Sequence, residues 1–191
     1  MKKLLLAIFL FLSGCAGTDS ESTDPYVRGV QLFDDGDYEA AQQEWQPLVR
    51  ADDCDAQYRY GTLYFFGAGV SKDYRTAEKW WLSAAKRGHA VSQLLLGIMY
   101  AGGYVEMRDP GMRMFFNCKK NKCVDEKDNV VAYQWMRLAE RNADDDGFKK
   151  VARKKAEALK EMLTAEQAAN ADAYVQGWWP SPDRCKQLHR R

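Results

Sequence analysis

The chain has 191 residues, with 28 Lys or Arg against 27 Asp or Glu and a formal charge of +1. That balance argues against an obligate nucleic-acid binder or a polyanionic tail. Apolar residues make up 46% and aromatics 13%, far from the signature of disorder, so a single domain with a real core is expected.

At the amino terminus Lys2 and Lys3 precede an unbroken apolar run from Leu4 to Leu12. It is too short for a bilayer, which needs about 20 helical residues, and suits the h-region of a secretory signal. The ending Leu12-Ser13-Gly14-Cys15 resembles the lipobox of bacterial lipoprotein signals. The resemblance implies that residues 1–14 are removed and that Cys15 carries the acyl chains. Each buried methylene then contributes about 0.8 kcal/mol to membrane binding. Ala16 follows the cysteine where lipoproteins of this kind retained at an inner membrane commonly carry Asp, so the resemblance implies an outer-membrane anchor facing the periplasm. Cleavage removes two of the 28 basic residues and leaves the remainder slightly acidic. Residues 15–23 read as a flexible tether. Folding should begin at Asp24-Pro25, an N-cap followed by a first-turn proline.

Beyond the tether the chain repeats. Gly61, Leu63, Tyr64 and Gly67 recur as Gly97, Met99, Tyr100 and Gly103, a shift of 36 that also maps Tyr38, Ala41 and Trp45 onto Tyr74, Ala77 and Trp81. A shift of 55 maps Asp73, Ala77, Trp80 and Ala84 onto Asp128, Ala132, Trp135 and Ala139, so the later unit carries an insertion of 19 residues. Each unit reads as two helices. The first runs from Ala56 through Tyr60, Leu63 and Tyr64 and stops at Gly67 and Gly69. The second follows Asp73, sets Ala77, Trp80, Trp81, Ala84 and Ala85 on one face and ends at Gly88. Gly61, Gly97, Ala77 and Ala132 should sit where paired helices approach, with Tyr and Trp filling the space between pairs.

The stretch AQYRYGTLYFFGAGVSKDYRTAEKWWLSAAKRGHA from Ala56 resembles the Sel-one-like repeat, a relative of the tetratricopeptide repeat. Residues 24–50, with Gly29, Phe33, Gly36-Asp37-Tyr38, Ala41 and Trp45, resemble the tetratricopeptide version. The resemblance covers most of 24–143 and implies an all-α fold: a short right-handed α-solenoid of helix-turn-helix repeats. Transferring the tetratricopeptide register through Gly29, Gly61 and Gly97 puts Tyr26, Val30, Phe33, Tyr58, Thr62, Phe65, Leu94 and Ile98 in a concave, apolar groove suited to a peptide.

Residues 144–179 change pattern. Asp144-Asp145-Asp146-Gly147 reads as an acidic capping turn, and Asp52-Asp53 likewise, without the spacing of a calcium loop. Phe148, Val151, Ala152, Ala156, Leu159, Met162 and Leu163 form a helical stripe. Thr164 and Gln167 form a capping box opening a last helix through Ala168, Ala171 and Tyr174 to about Gly177. These two helices should cap the solenoid, and residues 180–191 should form an irregular tail.

Signals for chemistry are weak. Ser83-Ala84-Ala85-Lys86 matches the S-x-x-K of penicillin-recognising enzymes, without the companion Ser-Asp-Asn and Lys-Thr-Gly and with both alanines at repeat-core positions. His89 and His189 offer no ligand set, so no metal or cofactor is expected. In an oxidising periplasm, Cys118 and Cys123 are the preferred disulfide; Cys54 with Cys185 requires the tail to fold back. The insertion, 106–127, gathers Arg113, Met114, Phe115, Phe116, Lys119 and Lys120 with further Met and Arg residues. It reads either as a partner-binding finger or as aromatics tucked against the solenoid under solvated lysines.

These features point to a lipid-anchored envelope protein that binds protein partners as scaffold, adaptor or regulator. The alternatives are a cell-wall-related or β-lactamase-like enzyme, and a surface-displayed binder of extracellular protein.

Overall fold

The computed structural model describes residues 22–102, 128–180 and 185, with the backbone of 106–109 and 112–115. Among the described residues eight helices follow one another: α1 (Pro25–Asp34), α2 (Tyr38–Arg50), α3 (Cys54–Phe66), α4 (Tyr74–Lys86), α5 (Ala90–Ala101), α6 (Asn129–Asn142), α7 (Asp146–Lys160) and α8 (Ala165–Gly177). The insertion carries a hairpin that its spacing did not predict. Strands β1 (Glu106–Asp109) and β2 (Met112–Phe115) pair antiparallel, Glu106 opposite Phe115 and Asp109 opposite Met112, with Pro110 and Gly111 between them. The solenoid itself is helical, as the repeat pattern requires.

Aspartate starts most of these helices. Asp24, Asp37, Asp53, Asp73, Asp128 and Asp145 each cap a helix, their carboxylates accepting first-turn N–H groups such as Tyr26 N at 2.8 Å and Ala56 N at 2.8 Å. Each cap of this type is worth about 1 kcal/mol. Asp73 also accepts from the Thr76 hydroxyl at 2.6 Å, which holds its carboxyl below the usual range. Thr164 and Gln167 form the anticipated capping box, at 3.2 and 2.9 Å. Gly67 ends α3 in the left-handed region (φ 72°), its N–H donating to Leu63 O at 2.8 Å.

Helices pair as α1 with α2, α3 with α4, and α5 with α6. In each pair a glycine of the first helix meets a large side chain of the second. A β-carbon on Gly61 would lie 2.7 Å from the Trp81 ring and 3.1 Å from Ala77 O, and one on Gly29 would collide with the Trp45 indole. At Gly97 the obstacle is Met136 Cγ, at 2.7 Å. Both indoles are fully buried. Each donates Nε1–H to a carbonyl of the helix it packs on, Trp45 to Tyr26 O and Trp81 to Tyr58 O, both at 3.2 Å. Ala41, Ala77 and Ala132, also fully buried, complete the close approach.

The pairs stack in sequence, α2 on α3, α4 on α5 and α6 on α7, while α8 returns to α6. One apolar cluster holds Phe33, Trp45, Ala56 and Leu63; a larger one runs from Phe65 and Trp81 through Leu96 and Tyr133 to Ala156 and Ala171. The Tyr133 hydroxyl donates to Asp172 at 2.7 Å and fixes α8 on α6. Ala152, Ala156, Leu159, Ala168 and Ala171 face inward as expected, but three residues assigned to these stripes do not. Val151, Met162 and Tyr174 are exposed. Val151 and Tyr174 each lie one position from an inward residue, about 100° round the helix, and the inward places go to Ala152 and Val175. Met162 lies beyond α7, in the turn leading to α8.

Cys185 is bonded to Cys54 at the start of α3, 131 positions earlier, with Cα atoms 5.7 Å apart, and its N–H donates to Arg87 O at 3.1 Å. The preferred pairing of Cys118 with Cys123 lies outside the described residues. Closing so long a loop removes chain entropy worth about 4–5 kcal/mol. Reduction, or Cys54→Ala, is expected to lower unfolding stability by about 2–5 kcal/mol in urea melts followed by tryptophan fluorescence; an unchanged midpoint would refute a structural role for the bond. Gly61→Ala is expected to destabilise by about 1–3 kcal/mol through overpacking, despite alanine's better helix propensity. A gain in the same melt would show that Trp81 can move aside.

Candidate interaction surface

Of the eight residues assigned to a concave groove, five are core residues. Phe33, Thr62, Phe65, Leu94 and Ile98 are buried; only Tyr26, Val30 and Tyr58 are partly exposed. The reason is aromatic packing within and between pairs. Phe33 meets Tyr38 and Trp45, with ring centroids 5.1 and 5.8 Å apart, and Phe65 stacks on Trp81 at 5.2 Å. Thr62 donates its hydroxyl to Tyr58 O within its own helix at 2.9 Å. An open apolar groove along this line is therefore ruled out. The line is instead marked by Arg59, whose guanidinium lies 5.6 Å from the Tyr58 ring and 5.9 Å from that of Phe33. Burial pushes the Tyr26 phenol up, against the opposing influence of Arg59.

A polar cluster joins the second unit to the third. His89 caps α5: its Nδ1 accepts Ser92 N–H at 3.2 Å and lies 2.8 Å from Ser92 Oγ, while Nε2 is 3.1 Å from Asp55 Oδ1. The capping bond assigns the tautomer, with the proton on Nε2 directed at Asp55. The order carboxylate, imidazole, hydroxyl is that of a nucleophilic relay. Here, however, Ser92 is fully buried and the imidazole lone pair is taken by a backbone N–H, so the arrangement acts as a structural joint. Sequence reading placed His89 in a turn and missed its partners. The repeat period held the signal, since residues about one period apart occupy neighbouring units.

A shallow concave feature lies along the outer face of α4. Arg75, Glu78, Lys79, Leu82, Ser83, Lys86 and Arg87 line a depression of about 610 Å³. Their spacing is the complement of the buried line Ala77, Trp81, Ala84 and Ala85, so the stripe was legible as the face that the core does not use. Four of the seven residues are cationic. Glu78, the sole acid, accepts from the Tyr100 hydroxyl at 2.6 Å, and that phenol is pushed up to about 12 by burial and by the carboxylate. Arg87 donates to Asp52 O, 35 positions earlier in the connection before α3, and Lys79 lies 5.3 Å from the Trp80 ring. Ser83 and Lys86 share this face, Ser83 half-buried and Lys86 exposed; no hydrogen bond joins them, whereas a nucleophile activated by this lysine would need one.

Among the described residues no group of His, Cys, Asp and Glu could hold a metal, and no helix is long and apolar enough to cross a membrane. Arg113, Met114 and Phe115 of the insertion fall on β2. Phe116, Lys119 and Lys120 lie outside the described residues, as does Cys15.

The model of the Sel1 repeat matches residues 54–89 and 125–144. These two segments are Sel1-like repeats. The first match spans α3, α4 and the His89 cap, one complete Sel1 unit; the second spans α6, which the insertion separates from its partner α5. The pair α1–α2 lies outside the matched residues yet repeats the glycine–tryptophan contact. The crystal structure of c5321, a protective antigen present in uropathogenic Escherichia coli strains displaying an SLR fold, aligns with a TM-score of 0.62 at 22% identity. The alignment covers 81% of this chain and 29% of that one, so the chain spans under a third of its length, and the likeness is one of fold. No curated protein matches the sequence.

His89→Ala removes both the α5 cap and the tie to Asp55 and is expected to cost about 1–2 kcal/mol, with His89→Asn recovering most of it because Asn caps well. Equal urea midpoints for Ala and Asn would show that the cap carries no weight.

Proposed function

We propose that this Sel1-like repeat protein is a protein-binding component of the bacterial envelope, held by lipid at Cys15 to the periplasmic face of the outer membrane. It acts as scaffold, adaptor or regulator, with the solenoid as its binding element. The observation that carries the binding role is the cation-lined depression along the outer face of α4. The Cys54–Cys185 disulfide supports the compartment, since such bonds form and persist where the medium is oxidising. The basic n-region, short apolar run and small-small-Cys ending support the anchor.

Two measurements test this reading. Labelled palmitate should enter the wild-type chain and not Cys15→Ser, and the variant should move from the membrane to the soluble fraction; retention of label would overturn the anchor. A photocrosslinking residue at Leu82 or Met114 should capture a discrete protein in living cells, where one at exposed Val151 captures none. Identical capture from all three positions would sink the claim that binding is local to these surfaces.

A further inference from the structure

We infer that the depression along α4 takes a short acidic segment of a partner protein in extended form, its carboxylates set on Lys79 and Lys86. This rests on the protein-binding role proposed above and specifies its chemistry. The lining comprises Arg75, Lys79, Lys86 and Arg87 against the single acid Glu78, and Glu78 is engaged by the Tyr100 hydroxyl. The field over the depression is therefore positive, although the whole chain is nearly neutral.

Dimensions restrict the occupant. Lys79 and Lys86 are separated by about 10 Å along the helix at 1.5 Å per residue, which matches about three residues of extended chain at 3.3 Å each. Leu82 and Ser83 lie between them. In the extended polyproline II form, with three residues per turn and a rise of about 3.1 Å, acids at positions i and i+3 share one edge about 9 Å apart and meet both cations. A concavity of about 610 Å³ is within the usual range for bound ligands.

The test uses the disulfide-bonded chain without its acyl group, a fluorescent peptide with Glu at every third position, and matched peptides with Gln or Lys in place of Glu. Binding is expected for the Glu peptide alone, and should weaken at least about tenfold between low and high salt because exposed charges are screened. The charge-reversed pair K79E/K86E should lose at least about tenfold in affinity and gain affinity for the Lys peptide. Urea melts of the variant check that it folds, and the single variant Lys79→Gln, with a smaller loss, serves if the pair does not. Equal binding of Gln and Glu peptides would overturn the inference. So would Lys79- and Lys86-dependent binding to phosphatidylglycerol vesicles with no peptide binding. Crosslinking from Met114 but not from Leu82 would likewise reject this site while leaving the protein-binding role standing; failure at every position would reject the role itself.

Discussion

The indole of Trp81 occupies the space that a β-carbon on Gly61 would need, and the solenoid is organised around that exclusion. Removing one methyl group lets two helices approach until Trp81 Nε1–H reaches Tyr58 O, so packing and a directional bond fix the same distance and the same register. Trp45 repeats the arrangement against Gly29. In the third unit Met136 takes the tryptophan's place against Gly97. A thioether fills an irregular space but donates no hydrogen bond. The unit with the longest connection between its helices is thus also the one without the indole bond, and Asn142 Nδ2 donating to Gln93 Oε1 at 3.0 Å ties its helices instead.

Antiparallel stacking gives the solenoid two unlike rims. At one, the end of each unit meets the start of the next, and polar ties cross the joints. Arg87 reaches Asp52 O, His89 reaches Asp55, and buried Gln93 donates to Ala85 O while accepting from Asn142. Arg141 continues the series to Val175 O and Trp178 O, and Cys185 closes on Cys54 at the same rim. Buried networks of this kind specify one arrangement because any slip leaves polar groups unpaired. The opposite rim carries the connections within units, and there the 19-residue insertion is accommodated. Length varies on the rim that does not hold neighbouring units together.

Features that depend on local spacing were legible in the sequence. The Asp24-Pro25 start, the Thr164 capping box and the 36-residue period all rest on contacts within a turn or within one repeat. The groove was misread because register alone does not say how far a side chain turns. Phe65 sits at a groove position by analogy, but stacking on Trp81 draws it into the core. Val151 failed for the opposite reason, an apolar residue one step off the buried line on a heavily charged helix. The Cys54–Cys185 bond joins residues 131 positions apart, and only the completed topology brings the end of the chain back to the rim where α3 begins.

Charge follows the same division between local and global. The formal total of +1 suggests a featureless surface, yet particular charges of the two signs serve different ends. Aspartates at six N-caps aim their carboxylates at their own helices' N–H groups, where the helix dipole favours them. Their charge is thereby directed inward along the helix axes. Lys79 and Lys86 of α4 complete no cap and stand instead on an outward stripe over a concavity. A nearly neutral chain can thus present a positive field at one place, because these six acids complete the fold while Lys79 and Lys86 do not.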